Sequence, residues 1–388
     1  MRGITGRRLS SVLWWVDASR ATCTRGQSAS TAEWAVPKER TAMARDRVMR
    51  LDRRGFLHGG LSVAGLALLA GCSGSSLPFA PGRSEAPLET TRLRFWKSPS
   101  LCHAPQFLAE PLLRAEGFTD VQYIDAAGGA RSYGALAAGE MDIISLFSAP
   151  LITRVDAGDP IVILAGLHVG CFELFGTSQV QSVRDLKGKT AGVLVLGSPQ
   201  HVFLASIAAY VGLDPRVDIN FVELPGAESM RRLEAGTIDA FIGFPPEPQE
   251  LRAKKIGHVI VNSSIDRPWS QYFCCMVAAN RDFVQQNPVA TKRAVRAILK
   301  ATDMCAAEPE RSAQLLVDGG YAPRLDYASQ TLREIPYSKW RDYDPEDTIR
   351  FYALRLNEIG MIRSTPDKIL QSGTDWRFLN ELKKELKT

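Results

Sequence analysis

Apolar residues along the body of this chain fall into two patterns. Short, nearly unbroken apolar runs at Leu93–Trp96, Ile161–Val169, Thr190–Leu196, His258–Asn262 and Tyr272–Ala279 predict buried β-strands. A strand covered on both faces has no polar side to alternate with. Elsewhere the apolar positions recur three and four residues apart. Ala294, Ile298 and Ala301 share one helical face, and the stretches 309–318, 345–359 and 375–386 read the same way. A further helix is expected over Pro105–Glu116. Strands alternating with helices predict an α/β fold with parallel strands.

The pattern repeats. Leu136-Ala137-Ala138-Gly139-Glu140-Met141-Asp142 returns as Leu233-Glu234-Ala235-Gly236-Thr237-Ile238-Asp239, 97 residues later. Upstream, Val121–Asp125 returns as Ile219–Glu223 at an offset of 98. Each copy reads as a strand, a Gly-containing loop (Gly128-Gly129; Pro225-Gly226), a helix ending at a glycine, and an Asp that opens the next buried strand. Glycine suits the left-handed residue that closes a helix. The unit is βαβ, and two copies this far apart predict two similar lobes, since a solenoid repeats every 20–50 residues or so.

Charge is distributed unevenly. Residues 1–72 hold 12 Lys and Arg against 5 Asp and Glu, whereas the remainder holds 35 against 37. The basic balance of the 388-residue chain therefore belongs to its N-terminal segment. The near-neutral body lacks the electrostatic footprint of a nucleic-acid binder. Within the basic segment, Leu51-Asp52-Arg53-Arg54-Gly55-Phe56-Leu57 resembles a twin-arginine export signal, with Asp52 where that signal usually has Ser or Thr. The apolar run Leu61–Ala70 is too short to span a bilayer but suits a signal-peptide core. It ends in Leu69-Ala70-Gly71-Cys72, which resembles a lipobox and makes Cys72 the expected lipidation site. Residues 1–72 are thus expected to be an N-terminal extension plus lipoprotein signal, and 73–91, rich in Ser, Gly and Pro, a flexible tether.

Asp185-Leu186-Lys187-Gly188-Lys189-Thr190-Ala191-Gly192-Val193, then Gly197-Ser198-Pro199, together with the two Leu-x-Ala-Gly-x-x-Asp units, carry a resemblance that covers 92–388. In their order and spacing these motifs make the chain similar to the nitrate/sulfonate/taurine-type and thiamine-pyrimidine-type solute-binding proteins of ABC importers. The resemblance implies a periplasmic-binding-protein-like type II α/β fold. Lobe 1 would be 92–173 plus 275–388 and lobe 2 would be 174–274, joined by crossover strands and closing on a ligand. It further implies an exported protein, and together with the N-terminal signals the expectation is a monomer, lipid-anchored on the periplasmic or extracytoplasmic face of the membrane and exported by the twin-arginine route. Its partners would be a small organic anion, oxyanion or heterocycle and an ABC permease/ATPase complex, with no nucleic acid.

Ligands of open α/β sheets sit beyond the carboxyl ends of the strands. That rule puts forward as ligand-binding candidates Ser98, His103, Gly128, Gly129, Ser145, Phe147, His168, Gly197, Ser198, His201, Gly226, Phe244 and Tyr272. Trp96, Phe172 and Trp269 add rings able to face a flat ligand, and Lys97, Arg131 and Arg154 are the basic residues nearest in sequence. Ser198 has two readings, an anion grip at a helix N-terminus or a plain N-cap. Cys102, His103, His168, Cys171 and His201 all fall in the expected cleft loops, and His168-x-x-Cys171 has metal-ligand spacing. No metal and no cofactor are expected there, for want of acidic residues to orient the ligands. Cys274 and Cys275 are expected to pack on opposite faces of a strand. No nucleophile elbow, Walker loop or His-Glu-x-x-His motif is present, so catalysis is not expected. A thiamine-pyrimidine-synthase-like enzyme, whose cysteine-rich run Phe273-Cys274-Cys275-Met276 echoes incompletely, and a ligand-presenting sensor are the alternatives.

Overall fold

A computed structural model describes residues 85–125 and 129–387. The twin-arginine run, Cys72, Gly128 and most of the tether lie outside the described residues. No helix among the described residues is long and apolar enough to cross a membrane.

Among the described residues, ten strands build two halves. In the first, β1 (Arg92–Trp96) runs parallel to β2 (Asp120–Ile124), while β3 (Ile143–Phe147) and β4 (Ile161–Val169) flank β10 (Phe273–Asn280), which is antiparallel to both. In the second, β5 (Glu173–Gly176), β6 (Lys189–Val193), β7 (Ile219–Glu223), β8 (Ala240–Gly243) and β9 (His258–Asn262) form one sheet in the order β7-β6-β8-β5-β9. Strand β6 is parallel to β7 and β8, and β5 is antiparallel to β8 and β9. Each half therefore holds one reversed strand, the first that the chain lays down after crossing from the other half. The chain passes between halves at 170–172 and at 263–272.

The repeat has the same chemistry in both halves. The helices Gly129–Ala137 and Gly226–Glu234 are followed by Gly139 at φ +71° and Gly236 at φ +67°. The Asp that comes next ties neighbouring strands together. Asp142 Oδ2 accepts the Arg94 backbone N–H at 2.7 Å, and Asp239 Oδ2 accepts that of Thr190 at 2.8 Å. The N–H groups of the same two residues donate to Arg94 O and Thr190 O, both at 2.9 Å. Asp142 is also held in a two-pronged pair by the Arg94 guanidinium (3.1 and 2.6 Å).

Three sequence expectations are corrected. The helix over Pro105–Glu116 is two, Ala104–Leu108 and Glu110–Ala115, because Pro111 has no N–H to give the Phe107 carbonyl. Strand β5 is not among the expected strands, because its four residues begin with the buried charge of Glu173 and form no apolar run of their own. Cys274 and Cys275 do not face apart. The ladder pairs Phe273 with Val169 and Cys275 with His168, so Cys274 is an extra residue, a β-bulge that re-aims its side chain.

A continuous apolar core runs between the two halves, and a smaller cluster (Phe175, Leu224, Leu233, Ile238, Phe241, Leu251, Ile256) lies under the outer helices of the second. The 20-residue helix Pro288–Ala307 buries Ala290, Ala294, Ala297 and Ala301, small residues that let it lie close on its neighbours. Fully burying a Leu or Ile side chain contributes about 1.5–3 kcal/mol.

Candidate functional site

The loop after β1 turns inward because Leu101–His103 is a buried 3-10 turn. It rests on the second half: Leu101 N–H donates to Pro245 O at 3.2 Å, and the Ser100 hydroxyl reaches the same carbonyl at 3.5 Å. Inside the turn, Ser98 Oγ and His103 Nδ1 are hydrogen-bonded at 2.6 Å, which fixes the imidazole and turns its Nε2 inward. The His103 ring packs against Trp96 and Phe147, with centroids 5.8 and 5.2 Å away. Phe147 continues into Phe172 (4.9 Å) and Phe244 (5.6 Å), and Phe172 stacks on Phe203 (4.8 Å). Rings from both halves thus close over one spot.

Four cysteines meet there. Cys102 comes from the β1 loop, Cys171 from the link between β4 and β5, and Cys274 and Cys275 from the bulged start of β10. Cys171 N–H is held by Ser263 Oγ at 3.0 Å, from the other link between the halves. The Sγ atoms of Cys171 and Cys274 lie 2.9 Å apart, and those of Cys102 and Cys275 4.0 Å apart. Cys275 Sγ is 3.4 Å from His103 Nε2, and Ser100 Oγ is 2.9 Å from Cys102 Sγ. His168 Nδ1 sits 2.9 Å from Gly170 O, its ring is edge-on to Tyr337, and its Nε2 is buried without a hydrogen-bond partner among the described residues. All six side chains are at most 5% exposed.

Burial opposes ionisation of every one of these thiols. At Cys102 the adjoining Cys171 and Cys275 thiols and the His103 imidazole overcome it and hold the pKa well below the ordinary thiol range. At Cys274, contacts from Cys171 and Cys275 and the nearby His168 bring it to about 5 despite burial. Cys171 and Cys275 are pushed well above the ordinary range by burial and by their neighbours' charge. Burial pulls His168 down, but the Cys102 thiol beside it outweighs this and raises its pKa.

Of the sequence candidates, Ser98, His103, Phe147, His168 and Phe244 line this spot or its aromatic roof. Ser145 is buried in the middle of β3; its N–H donates to Gln106 Oε1 at 2.8 Å, and its hydroxyl has no partner among the described residues. Gly129, expected in the loop, is instead the first residue of the helix Gly129–Ala137. Gly226 leaves room for the Glu247 carboxyl, whose Oε2 accepts from Phe244 N–H at 3.2 Å. Burial pushes the Glu247 pKa up to about 7. Glu247 is not among the sequence candidates, since nothing in the linear pattern marks its carboxyl as buried. Ser198 is an N-cap, accepting from His201 N–H at 3.4 Å, and the Gly197 N–H donates to His201 Nδ1 at 3.0 Å. His201 lies against Phe221, away from the cysteines, and Tyr272 stacks on Phe351 at 4.0 Å. Arg154 is paired with Asp159, and Lys97 and Arg131 are exposed. A cavity of about 10 Å³ remains between Phe147, Phe172, Phe203 and Cys274, on the order of one water.

A family model described as the NMT1-like family matches residues 86–317. The nitrate import ATP-binding protein NrtC of Synechocystis sp. is 27% identical over 179 residues, which are 44% of this chain and 26% of that protein. The nitrate/nitrite binding protein NrtA of Nostoc sp. is 22% identical over 296 residues, 66% of this chain and 67% of that one. The chain thus spans about a quarter of the length of the first curated relatives it matches. Among solved structures, the periplasmic nitrate-binding protein NrtA from Synechocystis superposes with a TM-score of 0.67 at 16% identity, covering 78% of this chain and 90% of that one. The fold is that of the periplasmic binding proteins, type II, with two α/β lobes joined by crossover strands.

Proposed function

The chain belongs to the NMT1-like family, and from that premise we propose that it is the extracytoplasmic, lipid-anchored capture subunit of an ABC importer, taking a small solute between its lobes. Division into lobe 1 (92–173 and 275–388) and lobe 2 (174–274) is part of the proposal, as is anchoring through Cys72 after twin-arginine export. Nitrate/nitrite-binding and bicarbonate-binding proteins among its relatives support the capture role. So does the N-terminal order of double Arg, short apolar core and Leu-Ala-Gly-Cys. No covalent chemistry is required of it: the solute is held, passed to a permease and released.

One observation carries the reading of the solute. The loops that meet between the lobes bring aromatic rings (Phe147, Phe172, Phe203, Phe244), hydroxyls (Ser98, Ser100, Ser145) and His103, while the three basic residues nearest in sequence are exposed or already paired. Such a lining favours a flat heterocycle with a few polar edge atoms over a bare oxyanion, which would lack a compensating charge. The Glu247 carboxyl next to Phe244 adds an acceptor suited to an N–H edge. The test is a thermal-shift screen of the full-length chain with pyrimidines and other heterocycles, sulfonates, nitrate and bicarbonate. A ligand at 100 times its dissociation constant adds about 2.7 kcal/mol. A shift with heterocycles alone is expected. A shift with nitrate or sulfonate alone would overturn the heterocycle and keep the capture role.

A further inference from the structure

We propose that Cys102, His103 and Cys275, with a fourth donor from the Cys171–Cys274 pair, form a binding site for one thiophilic metal ion of the Zn(II) class. The site goes beyond solute capture and stands whether or not the chain serves an importer.

Four of the chain's seven cysteines, at 102, 171, 274 and 275, converge from three separate segments on one spot. Two triads, Cys102/His103/Cys275 and Cys171/Cys274/Cys275, each have all ligand atoms within 4.8 Å of one another, and they share Cys275. A tetrahedral ion with bonds of about 2.3 Å to sulfur and 2.0–2.1 Å to nitrogen holds its ligand atoms roughly 3.5–3.8 Å apart. The Cys102–Cys275 separation of 4.0 Å and the Cys275–His103 separation of 3.4 Å lie just outside that range on either side, so small side-chain rotations bring them into it. The outer nitrogen of a metal-bound histidine is ordinarily held by a hydrogen bond that orients the ring, and Ser98 Oγ holds His103 Nδ1 at 2.6 Å. The β10 bulge, which costs a ladder pairing, delivers two consecutive thiols to one place.

The donor set decides the class of ion. Sulfur and imidazole without a carboxylate suit Zn(II) or Cu(I) and not Ca(II) or Mg(II), which take oxygen. Trp96, Phe147 and Tyr337 keep the surroundings apolar and buried. Each metal–sulfur bond that forms replaces an S–H bond, the displaced proton leaves to solvent, and no electrons are exchanged. Disulfide formation is the competing chemistry. It would consume the same thiols but give no role to His103 or to the bond that orients it.

The experiment uses the full-length chain, reduced and stripped of metal without oxygen. It is titrated with Zn(II) against a chromophoric chelator, and with Co(II) as a spectroscopic probe. The expected result is one ion per chain, with the strong visible bands of tetrahedral cobalt and sulfur-to-cobalt charge transfer. Cys102→Ser and Cys275→Ser are expected to lower Zn(II) affinity at least 100-fold, and Ser98→Ala about 10–100-fold. Cys305→Ser, a buried thiol outside the cluster, is expected to change nothing. Reduced wild-type protein that takes up no Zn(II), or that binds Co(II) with only the weak bands of oxygen ligation, overturns the site without recourse to any variant. So does unchanged affinity in Cys102→Ser and Cys275→Ser proteins that keep the wild-type circular dichroism.

Discussion

Glu247 is a carboxyl whose protonation the fold alters. Its folded pKa of about 7 stands above the 4.3 or so of an exposed glutamate, so between those values the folded state holds a proton that the unfolded chain has released. The stability this confers is present in full below about pH 4.3 and is lost as pH rises through 7. The Glu247→Gln variant is expected to lose less stability than wild type between pH 5 and pH 8, by up to about 3 kcal/mol. Urea unfolding at the two pH values measures it, and identical losses in the two proteins would refute the assignment. At this scale the sequence was partly legible. Ser98, His103 and Phe147 could be found because a rule of topology names the loops that follow strands. Ser198, His201 and Tyr272 obey the same rule, yet their side chains are engaged in a cap and in ring packing, and only tertiary neighbours decide between those outcomes.

Strand ends and links set the geometry at the next scale. Gly170, at φ +60°, begins the passage from β4 to β5, and a side chain there would run into the Ser264 backbone of the opposite link. Neither the conformation nor the backbone contact can relax cheaply, so Gly170→Ala is expected to destabilise by about 3 kcal/mol or more in denaturant unfolding. A loss under 1 kcal/mol would show that the two links can part at little cost. Elements with a strong period were readable: β4, β9 and the helix Pro309–Asp318 fall where the apolar pattern put them. The bulge in β10 was not, because it depends on how Phe273 and Cys275 register against Val169 and His168, and alternation within one strand carries no trace of its partner. That unseen bulge is what turned two cysteines expected to face apart into neighbours.

Across the whole molecule, an ion pair spans the halves. Arg252 and Gln249, on the helix Glu247–Lys254, reach Glu334 at the end of the helix Leu325–Glu334, with distances of 2.6–3.1 Å. Arg252 keeps a second, buried partner in Glu173, so Glu334→Gln removes the latch without stranding a charge. Half-exposed pairs of this kind contribute about 1 kcal/mol at most, enough to change the ratio of open to closed molecules several-fold. Small-angle scattering is expected to show a larger radius of gyration for the variant; an unchanged radius would mean that closure rests on the apolar contacts alone. The duplicated Asp142 and Asp239 made the two-lobe plan legible, since each supplies the same strand-to-strand tie. The reversed placement of β5 and β10 left no such mark.

That placement also dictates the order of assembly during synthesis. Strand β10 is the middle member of β3-β10-β4, so neither β3 nor β4 has its partner until residue 280 has been made. For more than a hundred residues of synthesis two largely apolar strands, wholly buried in the finished fold, stand with open edges, a template for pairing with the wrong chain. Contacts this distant in sequence are also slow to form. A nascent chain of this topology therefore has a long interval in which it depends on protection from aggregation, and that interval ends only after the entire second half has been translated.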